Sequence, residues 1–129
     1  MSSQKPKNHD IIDRAIFYEK IVLGCFLISE TVRHEFIDRI TADDFYNKVH
    51  QHIISIIKDR YLNSLPINSD VIFFDYQKNG YTDKLQLEYL AELEYSITSE
   101  INSIEHYISE LDFYRKLREL RNIGLHLQT

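Results

Sequence analysis

An all-α fold is what this 129-residue chain predicts, on three observations. Only three Gly and two Pro interrupt it, too few for the repeated turns of a strand-rich protein. Apolar residues recur at spacings of three and four over most of its length, the period of a helix face. Capping residues punctuate those runs, notably Thr41, Asn68 and the pair Asn79-Gly80. A chain of this size makes about one domain and buries roughly two-thirds of its unfolded surface. That suffices for a core without metal or disulfide support. The expected architecture is a compact bundle of about six helices.

Residues 1–10 read as a flexible leader, polar and basic at Lys5 and Lys7, without the apolar region of a secretion signal. From Asp13 the pattern turns helical. Ala15, Tyr18, Val22, Cys25 and Phe26 share one face, and residues 21–28 are apolar all round, as in a helix enclosed by others. The same run suits a buried strand, but the helical phase upstream favours a helix, and Gly24 leaves room for another helix to approach. Residues 30–40 form a short amphipathic segment with Val32, Phe36, Ile37 and Ile40 inward. Thr41 and Asp44 then make a capping box that should open a third helix. That helix carries two stripes, Phe45, Val49, Ile53 and Ile56 on one, Tyr46, His50, Ile54, Ile57 and Tyr61 on the other.

After Pro66, Asn68 should cap a helix over 69–78 that stops at Asn79-Gly80. A further helix is expected over 83–97, burying Leu87, Leu90, Ala91 and Ile97. Thr98-Ser99 closes a head spanning 11–100, and a final segment follows over 101–129. Its stripe is uneven. Ile101, Ile104, Ile108 and Leu111 keep helical register, and a second stripe starts at Phe113 and runs through Leu117, Leu120, Gly124 and Leu127. Either the helix breaks near Asp112, or its second half faces a neighbour.

Enzyme chemistry finds little support. No Gly-rich loop ending in Lys-Ser or Lys-Thr occurs, so no P-loop can cradle a nucleotide, and no catalytic, cofactor-binding or metal-ligating residue is assigned. Cys25 is the only cysteine, which rules out an intramolecular disulfide and a cysteine-rich zinc site. His9-Asp10 stands in the leader without the other ligands of a phosphohydrolase, and His34-Glu35 is followed by Asp38 where a zinc protease needs its second His. His50 and His52 point about 160° apart on a helix, so they cannot share a metal. His50 reads as a packed, hydrogen-bonded core residue. Asp43 and Asp44 suit helix capping rather than acid–base work.

Formal net charge is −5, the wrong sign for gripping a phosphate backbone. Arg115, Lys116, Arg118 and Arg121 form one basic cluster, largely offset by Glu110, Asp112 and Glu119. Those arginines, with Phe73, Phe74 and Tyr76, are candidate contacts for a protein partner. The apolar run at 21–28 is far short of the roughly 18 residues of a membrane span.

Several small agreements, in order, resemble one family. They are Glu19 before Val22-Leu23-Gly24 and its apolar run; Thr41, Asp43, Asp44, Phe45, Tyr46 and His50; Pro66-Ile67-Asn68; Tyr89-Leu90-Ala91-Glu92-Leu93; Ile104 and Tyr107; and Leu117-Arg118-Glu119-Leu120. Together they resemble the N-terminal domain of the bacterial DnaB-type replicative DNA helicase. Departures, such as Lys20 for Gln and larger residues at Ile21 and Cys25, touch packing only. The resemblance implies a helical head followed by a hairpin that pairs between subunits, so that residues 101–129 would be the first part of a dimerisation hairpin. Self-association would then use Phe113, Leu117, Leu120 and Leu127. It also implies a hexameric collar in an ATP-dependent parent helicase, and primase (its C-terminal domain) as partner, with a helicase loader as a further one. Little direct nucleic-acid binding, no cofactor, no membrane and a cytoplasmic location go with it. An excised domain and a stand-alone relative both stay open. So do two other readings: a helicase or primase adaptor or antagonist from a mobile element, and a small helical nucleic-acid-binding domain.

Overall fold

The computed structural model describes the backbone of residues 8–127 and the side chains of residues 10–124. Among them are six helices: α1 (Asn8–Ile28), α2 (Glu30–Phe36), α3 (Lys48–Leu62), α4 (Ser69–Asn79), α5 (Leu87–Tyr95) and α6 (Ile104–Leu127). Three short 3-10 turns complete them, at Ile37–Arg39, Ala42–Asp44 and Glu100–Ser103. No strand occurs among the described residues. The all-α class stands as expected.

α1 lies at the centre and packs against α2, α3, α5 and α6. That is why its second half is apolar on every side: Val22, Leu23, Cys25 and Phe26 are wholly buried. Gly24 is required by the α1–α5 contact. A Cβ there would strike the Leu93 carbonyl oxygen and lie 2.5 Å from Ile97 Cγ1. Ser29 Oγ accepts the Val32 N–H at 3.1 Å and caps α2. Arg33 Nη1 donates to the carbonyls of Phe26 (2.7 Å) and Leu27 (3.2 Å), two groups that the end of α1 leaves unpaired. Val32, Phe36, Ile37 and Ile40 are all buried, as expected.

Two helix starts differ from expectation. Thr41 and Asp44 do form a capping box, the Asp44 carboxylate accepting the Thr41 N–H at 2.8 Å, but they cap only the 3-10 turn Ala42–Asp44. The chain is extended at Phe45, and α3 begins at Lys48, where Asn47 Oδ1 accepts the His50 N–H at 3.1 Å. The amides of Tyr46 and Asn47 are held by the Glu19 carboxylate, which keeps this stretch out of the helix. Val49 is accordingly only half-buried. The helix expected over 83–97 is Leu87–Tyr95. Tyr76 donates its hydroxyl to the Asp83 carbonyl (2.7 Å), and the His52 ring stacks on Tyr81 with centroids 3.8 Å apart. These contacts hold 81–85 against α3 and α4, so Leu85, Leu90, Leu93 and Ile97 enter the core while Leu87 is exposed.

Other ends fall as read. Asn68 Oδ1 accepts the Val71 N–H at 3.1 Å, and Gly80 takes the left-handed conformation (φ +69°) that ends α4. α1 begins by Asn8, so residues 8–10 are helical rather than leader. α6 is one unbroken helix, which removes the alternative of a break near Asp112. Its inner face is Ile104, Ile108, Leu111 and Tyr114. Tyr18 meets both Tyr107 and Tyr114 there, and Ala15 faces Arg118 and Asn122 further on, so α1 and α6 run antiparallel. Among the described residues, no helix is long and apolar enough to cross a membrane.

Candidate functional site

The two segments that head the resemblance meet in the core. Glu19 lies on the apolar side of α1, three residues before Val22 and seven before Phe26, and is wholly buried. Its carboxylate accepts the Tyr46 N–H (2.7 Å) and the Asn47 N–H (3.3 Å) and contacts His50 Nδ1 at 2.7 Å. His50, also wholly buried, reaches the Tyr89 hydroxyl through Nε2 at 2.6 Å, and the two rings stack. With Nδ1 donating to Glu19 and Nε2 accepting from Tyr89, each polar atom of the trio has a partner. Burial, then the Glu19 charge, pushes the Tyr89 phenol up to about 12, so it stays protonated and able to donate. Neither Glu19 nor His50 meets solvent, so no substrate reaches them. The trio clamps α1, α3 and α5 together.

Sequence reasoning placed His50 in the core but missed its bond to Glu19. The signal was available: a lone carboxylate on an otherwise apolar helix face must find donors inside.

The outer face of α6 is the opposite of this sealed junction. Phe113 (55% exposed) and Leu120 (64%) stand in solvent, with Leu117 half-buried beside them and Ile123 also exposed. At 100° per residue, Phe113, Leu117, Leu120 and Gly124 fall within about 60° of one another, on the side away from Ile104, Ile108 and Leu111. Leu127 lies in α6, but its side chain is outside the described residues. Phe17 on α1 is exposed as well.

The basic row divides into two halves. Arg115 is surrounded by carboxylates, forming ion pairs with Asp44 (3.0 Å), Asp112 (2.5 Å) and Glu119 (3.0 Å), although its Nε makes no aligned hydrogen bond, and Lys116 pairs with Asp112 (2.8 Å). Hydrogen bonds from Lys116 and Arg115 hold the Asp112 carboxyl below its usual range. Arg118 lies over the Tyr46 ring at 5.7 Å, and only its Nη2 reaches an acceptor, the Asp44 carbonyl at 3.5 Å. Neither Arg118 nor Arg121 has an ion pair among the described residues.

The α4 aromatics separate too. Phe74 is 75% exposed and Phe73 half-buried, but Tyr76 is a core residue and offers a partner nothing. α4 packs on α3 and α5, whereas α6 packs on α1 and the turn at Ala42–Asp44. The expected contacts thus do not share one helix face. His34 and His52 are engaged elsewhere, with Tyr61 and Tyr81, and His9 is outside the described side chains. No group of three His, Cys, Asp or Glu that could hold a metal occurs among the described residues.

A family model described as DnaB-like helicase N terminal domain matches residues 13–113. The fold is similar to the crystal structure of the N-terminal domain of DnaB helicase from Mycobacterium tuberculosis, with a TM-score of 0.78 at 23% identity. That likeness covers 86% of this chain and 80% of the other. A comparison with curated proteins gave no match. The family match takes in the Glu19–His50–Tyr89 clamp and the inner face of α6 through Leu111. The chain belongs to the DnaB-like helicase N-terminal domain family.

Proposed function

We propose that the chain is a non-catalytic assembly and partner-binding domain of a replicative DNA helicase. Residues 11–100 form its head, and 101–129 form the first arm of a dimerisation hairpin rooted in the head through Ile104, Ile108, Leu111 and Tyr114. The observation that carries the reading is the exposed stripe on α6, with Phe113 and Leu120 in solvent opposite the buried face. Its four-three spacing is that of a helix–helix seam. Six such domains would form the collar of an ATP-dependent parent enzyme in the cytoplasm, with primase docking on it and a helicase loader as a second partner. Phe74, exposed on α4, would be one anchor for such a contact.

Sedimentation velocity over a wide concentration range tests the assembly role. Concentration-dependent dimers are expected, lost in Leu117→Glu or Leu120→Glu while helix content by circular dichroism is kept. A strict monomer at every concentration would overturn it.

A further inference from the structure

We propose that the cleft between the first turns of α1 and the last turns of α6 is a docking site for an acidic peptide that carries an apolar side chain beside its carboxylates. The cleft has a volume of about 300 Å³ and is lined by Ile11, Ile12, Ala15, Tyr46, Arg118 and Arg121, with Asn122 at its edge. That volume is at the small end for ligand pockets and suits a side chain or two.

Charge selects the occupant. Arg115 and Lys116, one turn earlier on the same helix, are neutralised by Asp44, Asp112 and Glu119. Arg118 and Arg121 have no carboxylate partner among the described residues, although the chain as a whole carries −5. Arg118 lines the cleft and its Nη2 reaches only a weak acceptor, the Asp44 carbonyl at 3.5 Å, so its guanidinium keeps the capacity for a charge-assisted bond to an incoming carboxylate. Two guanidiniums one turn apart therefore present a local positive field beside an apolar floor of Ile11, Ile12 and Ala15. Tyr46, half exposed, supplies an aromatic edge already holding Arg118 in place. A neighbouring hollow, which Tyr46 and Arg118 also line, adds one charge of each sign, Lys48 and Asp43.

A nucleic acid fits less well. Two uncompensated cations release few counterions, so a phosphate backbone gains little there. The apolar floor would also have nothing to bury. The site and the self-association stripe share α6 but have different centres: at 100° per residue Arg118 projects about 130° from the middle of the stripe and Arg121, which borders it, about 70°. A dimer formed through Leu117 and Leu120 would leave the Arg118 side of the cleft, with Ile11, Ile12 and Ala15, open.

The test uses the full chain and a fluorescein-labelled peptide with a Glu-Glu-Leu-Phe-Glu core, read by anisotropy beside the same peptide with Gln for Glu. The Glu peptide should bind and the Gln peptide should not. Arg121→Gln and Arg118→Gln should each weaken binding about tenfold. Ile12→Asp should abolish it, and Lys116→Gln should leave it unchanged. Amide shifts on titration should gather at Ile11, Ile12, Ala15, Tyr46 and Asn122. Leu120→Glu, disabled for self-association, should bind the peptide like the parent chain, so failure of one reading does not mimic failure of the other. No binding, equal binding of the Gln peptide, shifts centred on other helices, or displacement by a single-stranded oligonucleotide at equal concentration would each overturn the proposal.

Discussion

Removing the Glu19 carboxylate should be the most damaging single polar change in this domain. Three donors converge on it, the Tyr46 N–H at 2.7 Å, the Asn47 N–H at 3.3 Å and His50 Nδ1 at 2.7 Å, with Glu19 and His50 wholly out of solvent. Glu19→Ala deprives all three at once and opens a gap in α1. Each buried donor left unpaired costs about 1–3 kcal/mol. The longest bond is the weakest, and the loop amides can relax toward water, so about 3–5 kcal/mol is expected in total. Against a typical stability of about 5–15 kcal/mol that is a large share, and Tm should fall by about 10–20 °C. Urea denaturation followed by circular dichroism measures it. Glu19→Ala and His50→Ala should couple by about 1–3 kcal/mol in a double-mutant cycle. A loss under about 1 kcal/mol, additive with that of His50→Ala, would refute the clamp.

Asn47→Ala should cost about 0.5–2 kcal/mol as the cap of α3, whereas Thr41→Ala, which touches only one 3-10 turn, should cost less. The reverse order in a urea titration would return the helix start to Thr41. Gly24→Ala should destabilise by about 1–3 kcal/mol, because its Cβ meets backbone at Leu93 and overpacking outweighs the gain in helix propensity. A more stable variant would mean that α1 and α5 separate freely. Tyr89 titrates near 10 when unfolded and at about 12 in the fold. Between those values the native state holds a proton that the unfolded chain has lost, so its contribution is whole below pH 10 and disappears as pH rises toward 12. Tyr89→Phe should flatten the fall of stability over that window, and an unchanged slope would contradict the burial of its hydroxyl.

The periodic elements were legible because burial and periodicity coincide in them. Val22, Leu23 and Phe26 on α1, and Ile53, Ile54 and Ile57 on α3, repeat at helical spacing and are buried. Where tertiary contacts claim the backbone, local pattern misleads. Thr41-x-x-Asp44 satisfies a capping box, yet a carboxylate from α1 takes the following amides and delays the helix to Lys48. Likewise residues 83–86 have helical propensity but serve as a strap, tied down by Tyr76 through the Asp83 carbonyl. Both errors arise from contacts that apolar periodicity does not register, a carboxylate 27 residues before Tyr46 and a tyrosine hydroxyl seven residues before Asp83.

The surfaces were legible to different degrees for a related reason. The outer stripe of α6 could be read because a helix has only one inward direction, and Phe113, Leu117 and Leu120 lie out of phase with Ile104, Ile108 and Leu111. The state of the arginines was legible in part, because within α6 Arg115 has Asp112 three residues before it and Glu119 four after, whereas Arg118 and Arg121 have no acidic residue at those spacings. Asp44, from a turn about seventy residues earlier, widens that difference, and nothing local in the sequence announces it. It gives its carboxylate to Arg115 and only a carbonyl oxygen to Arg118. A helix whose basic cluster looks largely offset in the sequence is neutral at Arg115 and Lys116 and charged at Arg118 and Arg121, beside the apolar start of α1. Replacing Asp44 by Asn should therefore release Arg115 without touching Arg121, so that ion-pair loss lowers stability while peptide affinity at the cleft holds.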